Sequence, residues 1–330
     1  MTHTHILAGD IGGTKTHLAL YRLAGPARTL RREATFASRD HARFDDLVAA
    51  FLGGESLDAA AFGIAGPVVD GEVRTTNLPW HIAARELAVR LDCPRVALLN
   101  DLGATALGAL HLPPEQLRPL QAGVARPGHI AVIAAGTGLG QAYLHWDGQR
   151  HLPAATEGGH TDFAPANERD VELWRWARTQ YGHVSWERLV SGPGLHALFR
   201  FIDEVERVPV DRNVRAGLLA GEDPGRTIGE AGLAGSCPAS RHALDWFVRL
   251  YGAQAGNLAL TVMALGGVMV GGGIVVRLLP AIDSAAFRAA FCAKGRYQKL
   301  LEDVPIHAIL EPKTALFGAV EAAIRLLQAP

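Results

Sequence analysis

The stretch "HILAGDIGGTKTHLALYRL", residues 5–23, has the pattern of a strand, a tight glycine turn and a returning strand. Apolar residues precede the turn, and Leu18 and Leu20 recur after it at the two-residue period of a half-buried strand. The stretch "GHIAVIAAGTGLGQAYLHW", residues 128–146, repeats this order. The repeat predicts two domains of related topology, each offering one glycine loop.

The composition fits a globular protein of one large or two ordinary domains. The chain has 330 residues, of which 48% are hydrophobic and 20% charged. Its formal net charge is −1 and its Lys and Arg residues are scattered, so we expect no bulk attraction to nucleic acid or to a membrane surface. Cys93, Cys237 and Cys292 lie far apart without a CxxC pair, which favours a reducing cytoplasm over a disulfide framework or a zinc knuckle.

The uncharged stretch "AGNLALTVMALGGVMVGGGIVV", residues 255–276, is long enough to be read as a membrane span. Glycines interrupt it at 266–267 and again at 271–273. We therefore interpret it as a buried helix, a turn, a short strand and a glycine loop. The beginning, "MTHTHILAGD", has no basic segment followed by an apolar one, so we expect no secretory signal.

The first glycine turn, "GDIGGTKT", is a candidate phosphate site. Gly12 and Gly13 allow backbone N–H groups to crowd around an anion, and Thr14 adds a hydroxyl. Asp10, at the end of the strand, could hold Mg²⁺ through water. An ordinary hairpin turn remains the alternative, because the stretch does not match a Walker A motif.

Two further glycine loops extend this prediction. The second repeats the chemistry of the first with Gly136, Thr137 and Gly138. It is not a GxGxxG motif, and a strand follows it, which argues against a dinucleotide site. The third loop, with Gly271, Gly272 and Gly273, would let an adenine ring lie against the backbone, although a close-packed turn is equally open.

Polar side chains stand where apolar segments end. The strand "RVALLND", residues 95–101, ends in Asn100 and Asp101, which suit either a turn with a helix cap or a catalytic site at a strand terminus. In "TEGGHTDFAP", the two glycines argue against a helical metal pair and favour a loop that presents Glu157 and His160 to a polyol. Taken alone, Glu187 would lie on the solvent-exposed face of a helix, and Asn77 would cap a turn.

The ordered set of motifs resembles a bacterial glucokinase of the hexokinase/actin-like ATPase superfamily. The motifs are "LAGDIGGTKT", "TTNLPW", "LLNDLGATALG", "AAGTGLGQA", "EGGHTDF", "ERLVSGPGL" and "VGGGI", and they span nearly the whole chain. The Cys-rich zinc motif of the related repressor–kinase branch is absent, which points to the zinc-free glucokinase branch. The resemblance implies an α/β, two-domain actin-like ATPase (ribonuclease H-like) fold with a central cleft. It implies a small domain of residues 1–110 plus 311–330 and a large domain of residues 111–310.

The same resemblance implies the ligands: ATP with Mg²⁺, glucose as the acceptor, and often a homodimer. The sugar hydroxyls would be held by Asn77, Asn100, Asp101, Glu157, His160 and Glu187. Asp101 would also be catalytic, by accepting the proton of the 6-hydroxyl. Asp10 would meet the metal through water, and phosphate would meet Gly12, Gly13, Thr14, Gly136, Thr137 and Gly138. Gly271, Gly272 and Gly273 would flank the adenosine.

Two other functions stay open at this point. A sugar-sensing regulator on the same fold would need a DNA-reading module, which we do not expect before Ile6 in a chain that is not basic. A kinase for another hexose, or one that uses polyphosphate or ADP as donor, is separated less well by the sequence.

Overall fold

The hairpin predicted at residues 5–23 forms in a computed structural model that describes residues 4–25, 27–75 and 78–328. Strand β1 (Thr4–Ile11) pairs antiparallel with β2 (Lys15–Ala24). Their register places Asp10 opposite His17. The candidate phosphate turn therefore lies between two strands of one sheet.

Contacts divide the chain into two compact units. Of the described residues, the first comprises those within 4–113, Ala142–Ala155 and 311–328, and the second comprises Pro114–Gln141 and Thr156–Leu310. The division predicted from sequence, 1–110 plus 311–330 against 111–310, differs at residues 111–113 and in the segment 142–155. Both groups of residues belong to the first unit. The segment 142–155 is bonded there by Arg325, which donates to the carbonyl oxygen of His151 at 2.8 Å.

The strands form two larger sheets and one small one. After β1 and β2, the strands are β3 (Ala27–Ala37), β4 (Ala59–Ile64), the small pair β5 (Glu72–Arg74) and β6 (His81–Ala83), β7 (Val96–Asn100), β8 (Leu117–Gln121), β9 (Ile130–Ala135), β10 (Leu139–Trp146), β11 (His151–Thr156), β12 (Gly267–Gly271) and β13 (Ile306–Ile309). A five-stranded sheet has the order β3-β2-β1-β4-β7, with β4 parallel to both β1 and β7. A six-stranded sheet has the order β11-β10-β9-β12-β13-β8, with β12 parallel to both β9 and β13.

Helices follow many of the strands, as in other α/β proteins. They are α1 (Phe44–Leu52), α2 (Ala84–Arg90), α3 (Asp101–Ala109), α4 (Glu168–Tyr181), α5 (Gly192–Phe201), α6 (Arg212–Leu219), α7 (Pro224–Ala234), α8 (Pro238–Thr261), α9 (Gly273–Arg277), α10 (Leu279–Ile282), α11 (Ala285–Cys292), α12 (Gln298–Glu302) and α13 (Thr314–Gln328). Short 3-10 turns include Gly158–His160, within the predicted sugar loop.

In the first unit, the last helix packs onto the beginning of the chain. α13 lies against α3, β1 and β4, and its Leu316 and Val320 are buried with Ile6 and Leu107. Gly108 and Gly318 allow the two helices to approach backbone to backbone, because a Cβ at either position would overlap a carbonyl oxygen of the other helix. This contact holds the start of α3, where Asp101 lies, against the sheet.

The uncharged stretch 255–276 folds as the sequence predicts. It contains the end of α8, a turn, the buried strand β12 and the start of α9. In the part of the chain that the structure describes, no helix has the length and apolar character needed to cross a membrane. The glycines at 271–273 lie where β12 passes into α9.

Candidate active site

Hydrogen bonds to Lys15 and Ser38 hold the turn between β1 and β2. Gly12 N donates to the carbonyl oxygen of Lys15 at 2.9 Å, and Ser38 N donates to that of Thr14 at 3.0 Å. Ser38 Oγ also donates to the carbonyl oxygen of Gly12 at 2.9 Å. The predicted phosphate residues Gly12, Gly13 and Thr14 thus form a braced turn, and the Thr14 side chain is exposed.

Asp10 is a half-buried carboxylate beside this turn. Burial raises the pKa of its carboxyl, and the charge of His17 lowers it to a smaller extent. A divalent cation would offset this desolvation, and Mg²⁺ is commonly held by one or two carboxylates together with substrate phosphates. Within the described ranges, no three His, Cys, Asp or Glu side chains cluster as a metal site. The carboxylate of Asp10 would hold Mg²⁺ only together with ligands from water and substrate.

Asn100 is the last residue of β7 and the N-cap of α3. Its Oδ1 accepts from Leu102 N at 3.0 Å and from Gly103 N at 3.2 Å. Its Nδ2 donates to the carbonyl oxygen of Gly66 at 3.1 Å. The capping function that the sequence left open for this pair is therefore carried by Asn100, and its predicted contact with a sugar hydroxyl stays a prediction.

Asp101 is the first residue of α3, so the predicted strand 95–101 is one residue too long at its carboxyl end. The side chain is half-buried, and its Oδ1 accepts from Leu102 N at 2.9 Å. The position combines a fixed carboxylate with the N-terminus of a helix, which favours negative charge. Asn77, the other predicted sugar residue of this unit, lies outside the described residues.

In the second unit, the predicted sugar loop runs beside residues 184–187. Phe163 N donates to the carbonyl oxygen of Val184 at 2.9 Å, Trp186 N to that of Thr161 at 3.1 Å, and Glu187 N to that of Gly159 at 2.9 Å. Glu157 and His160 are exposed at the two ends of the 3-10 turn. Such a loop can present a carboxylate and an imidazole to a polar ligand.

Glu187 joins this loop, although its segment is not the helix face that sequence alone would suggest. It lies in a turn ahead of α5, and its Oε2 is 4.0 Å from His160 Nε2. The same oxygen accepts from Leu139 N at 3.0 Å. The structure therefore brings Glu187 and His160 together, next to the second glycine loop.

The second glycine loop is hydrogen-bonded within itself and to the start of α5. Gly136 N donates to the carbonyl oxygen of Gly138 at 2.8 Å, and Gly192 N donates to that of Gly136 at 2.8 Å. Thr137 is exposed at the tip. The loop thus sits directly beside the N-terminus of a ten-residue helix, a position that suits anions.

A cavity of about 410 Å³ opens beside this loop. Three predicted residues line it: Gly136, Thr137 and Gly273. The other lining residues are Gly192, Pro193, His196, Asp223, Pro224, Gly225, Ile274 and Arg277. The volume is within the range of small-molecule sites.

Sequence reasoning missed most of this lining. The sequence did contain a signal, in the segments "SGPG" at 191–194 and "EDPG" at 222–225. Each has a capping residue and, shortly after it, the dipeptide Pro-Gly, a pattern typical of a helix start. Ser191 caps α5 and Asp223 caps α7. Gly192 and Gly225 let the two helix starts touch, since a Cβ on Gly225 would lie 3.1 Å from Gly192 Cα.

The three glycines at 271–273 have separate surroundings. Gly271 is buried against Ile309, Gly272 has a φ of +93° and a Cβ there would overlap Ala135, and Gly273 faces the cavity. Behind them the buried Tyr251 hydroxyl lies 3.2 Å from both the Ile133 and Gly271 carbonyl oxygens. Burial raises the pKa of Tyr251, so it stays a neutral donor that ties β9 to β12. Nothing in the sequence pattern indicated this residue.

Comparisons with known proteins show which family the chain resembles over its length. The glucokinase family model matches residues 7–326. A glucokinase of Trichormus variabilis is 38% identical over 341 residues, which cover 98% of this chain and 100% of that protein. The structure of a glucokinase from an Antarctic psychrotroph matches with a TM-score of 0.85 at 28% identity, over 98% of this chain and 100% of that one.

A more distant structure shares the fold alone. It is a ROK family glucokinase from Streptomyces griseus in complex with glucose and AMPPNP, with a TM-score of 0.63 at 22% identity over 98% of this chain and 100% of that one. The predicted α/β fold of the actin-like ATPase class is confirmed by these matches. With a family model and a relative that both span nearly all of it, the chain belongs to the glucokinase family.

Proposed function

We propose that this chain transfers the γ-phosphoryl group of ATP to the 6-hydroxyl of glucose and releases glucose 6-phosphate and ADP. One observation carries the proposal. In the second unit, residues 184–192 are hydrogen-bonded on one side to a loop with carboxylate and imidazole side chains, and on the other to a glycine loop beside a ligand-sized cavity. A polyol site next to a nucleotide site is what a sugar kinase requires.

The cavity is the nucleotide site in this proposal. The loop of Gly136, Thr137 and Gly138 takes the phosphates with the Thr137 hydroxyl and with backbone N–H groups other than that of Gly136, which donates to Gly138. Gly271, Gly272 and Gly273 flank the adenosine. The N-termini of α5 and α7 favour the phosphate charge, and Arg277 adds a cation at the rim. Burial lowers the pKa of His196, so this side chain presents a neutral ring to the nucleoside.

The acceptor site consists of Asn77, Asn100, Asp101, Glu157, His160 and Glu187. A sugar hydroxyl is both donor and acceptor, so carboxylates, amides and an imidazole satisfy it. An epimer would leave one of these groups unpaired, which supplies selectivity.

Asp101 is the general base. Phosphoryl transfer needs positioning and charge neutralisation more than covalent help, so one carboxylate that accepts the proton of the attacking hydroxyl is sufficient. Mg²⁺, held by Asp10 through water, would neutralise charge on the phosphates of ATP. The turn of Gly12, Gly13 and Thr14 holds phosphate with backbone N–H groups other than that of Gly12, which donates to Lys15.

A coupled assay with a panel of sugars and phosphoryl donors tests the function. We expect the highest kcat/KM with glucose, ATP and Mg²⁺. A higher kcat/KM with another hexose would show that glucose is not the preferred acceptor. A higher kcat/KM with polyphosphate or ADP would show that ATP is not the preferred donor. Tight glucose binding without turnover on any donor would instead indicate a sugar-sensing protein and contradict the proposal.

We further propose a homodimer, as the family resemblance implies, and a cytoplasmic location. The free, buried cysteines Cys93, Cys237 and Cys292 suit a reducing compartment. Light scattering after size-exclusion chromatography should give twice the 35.1 kDa of the chain. A mass of one chain at micromolar concentration would contradict the dimer.

A further inference from the structure

The carboxylate of Glu187 rests on the second glycine loop. Its Oε2 accepts from Leu139 N at 3.0 Å. Its Oε1 accepts no hydrogen bond from the residues that the structure describes, and the side chain is 28% exposed. One oxygen is thus fixed by the backbone of the loop, and the other is available to a ligand.

The absence of a side chain at position 138 makes room for this carboxylate. A Cβ on Gly138 would lie 2.5 Å from Glu187 Oε2 and 3.3 Å from its Cδ, and apart from the two chain neighbours no other described residue comes within 4 Å of it. A Cβ on Gly136, two residues earlier in the same loop, would meet nothing within 4 Å. The glycine at 138 therefore serves Glu187, whereas the glycine at 136 faces the cavity.

Glu187 is also tied to the sugar loop. Its backbone N–H donates to Gly159, and its Oε2 lies 4.0 Å from His160 Nε2. A shift of the carboxylate away from Leu139 would alter its position relative to His160. The glycine loop and the sugar loop are thus connected through one side chain.

We propose that Gly138 and the N–H of Leu139 are positioning groups for the sugar site, because they seat the carboxylate of Glu187. The proposal rests on the proposed function, in which Glu187 binds a glucose hydroxyl. It assigns to a loop of the phosphate site a direct effect on sugar affinity. A loop that contacted only phosphate would have no such effect when nucleotide is absent.

Calorimetric titration with glucose, without nucleotide, tests this proposal on the full-length protein. Gly138→Ala should weaken glucose binding by about fivefold or more, the scale of one displaced hydrogen-bonding group. Gly136→Ala is the matched control, and its glucose affinity should stay within about twofold of wild type, the scatter expected of an independent site. Equal glucose affinities for wild type and Gly138→Ala would overturn the proposal.

A double-mutant cycle with Glu187→Ala shows whether Gly138 acts through that carboxylate. Once the carboxylate is gone, the added Cβ has nothing to displace, so Gly138→Ala/Glu187→Ala should bind glucose no more weakly than Glu187→Ala. Losses that add would contradict the proposal. If Gly138→Ala alone does not fold, restoration of the fold by Glu187→Ala supports the contact, and a double variant that also fails to fold refutes it.

The same titrations separate this proposal from the proposed function. If wild type binds no glucose, or if Glu187→Ala binds it as well as wild type does, the assignment of the sugar site fails. If both of those controls behave as expected and Gly138→Ala still binds normally, only the positioning role fails.

Discussion

At the scale of single residues, Asn100 and Asp101 occupy adjacent positions with different surroundings. Asn100 accepts from two N–H groups of α3 and donates to Gly66, whereas the Oδ1 of Asp101 accepts from Leu102 N. Loss of an Asn cap costs about 0.5–2 kcal/mol, so Asn100→Ala should unfold at lower temperature. Stability and chemistry can therefore be tested separately at these two positions.

We expect Asp101→Asn to lower kcat by at least ~10²-fold, the usual scale for loss of a general base. The amide oxygen can still accept from Leu102 N, so the melting temperature should change little and glucose should still bind. Steady-state kinetics and thermal unfolding measure both quantities. A folded variant with near-normal kcat would return Asp101 to an ordinary helix start.

Glu157 is exposed at the start of the 3-10 turn, so its replacement should affect ligand binding more than folding. We expect Glu157→Gln to reduce kcat/KM for glucose by the equivalent of about 1–3 kcal/mol, the scale of a lost charged hydrogen bond. Glu172→Gln, on the exposed face of α4, is the control and should leave kcat/KM unchanged. Wild-type kinetics for Glu157→Gln would remove this residue from the sugar site.

At the scale of elements, the crossing of α3 and α13 depends on two glycines. A Cβ on Gly108 would overlap the carbonyl oxygen of Thr314, and a Cβ on Gly318 would overlap that of Ala104. These are backbone atoms, which cannot move aside as a flexible side chain can. The helices must separate if either glycine is replaced.

Gly108→Ala should therefore lower the free energy of unfolding by about 1–3 kcal/mol, as overpacking does elsewhere. Gly103→Ala in the same helix is the control, because its Cβ would meet only Pro153 Cβ at an ordinary 3.8 Å. Removing glycine from a helix gains about 0.5–1 kcal/mol, so the control should lose nothing. Urea denaturation measures both, and equal stabilities would show that the helices can shift without cost.

At the scale of the whole molecule, the half-buried carboxylate of Asp10, which we propose binds Mg²⁺, lowers the stability of the fold. Because burial raises the pKa of this carboxyl above its usual 3.8, the folded state holds the proton more tightly than the unfolded state does. Stability is therefore lost as pH rises from the usual value through the raised one, and ionised Asp10 destabilises the fold at neutral pH. An amide of the same shape would not carry this cost.

We expect Asp10→Asn, without Mg²⁺ at neutral pH, to be at least as stable as wild type, while its KM for Mg²⁺ rises. The stability difference should narrow as the pH falls toward the usual pKa of 3.8. Thermal unfolding as a function of pH and a Mg²⁺ titration of activity measure the two effects. A variant that is less stable at neutral pH and has an unchanged Mg²⁺ requirement would contradict both parts.

The sequence by itself determined the features that local pattern controls. The hairpin at residues 5–23, the break of the stretch 255–276 into helix, strand and loop, and the polar pair where β7 passes into α3 follow from periodicity and from Gly and Asn preferences, which act over a few residues. The ordered motifs indicated the family and its α/β fold. They indicated Glu157, His160 and Glu187 as sugar-binding residues but not where these residues lie relative to one another.

Only the tertiary structure decided which of these segments meet. Leu139 and Glu187 are 48 residues apart, and Tyr251 contacts Ile133 across 118 residues. The cavity is lined by the starts of α5, α7 and α9, which the topology of the sheet brings together. Contacts at such separations depend on strand order and on where the chain crosses over, and no local period encodes these. For that reason only the folded chain shows that the carboxylate of Glu187 packs against Gly138.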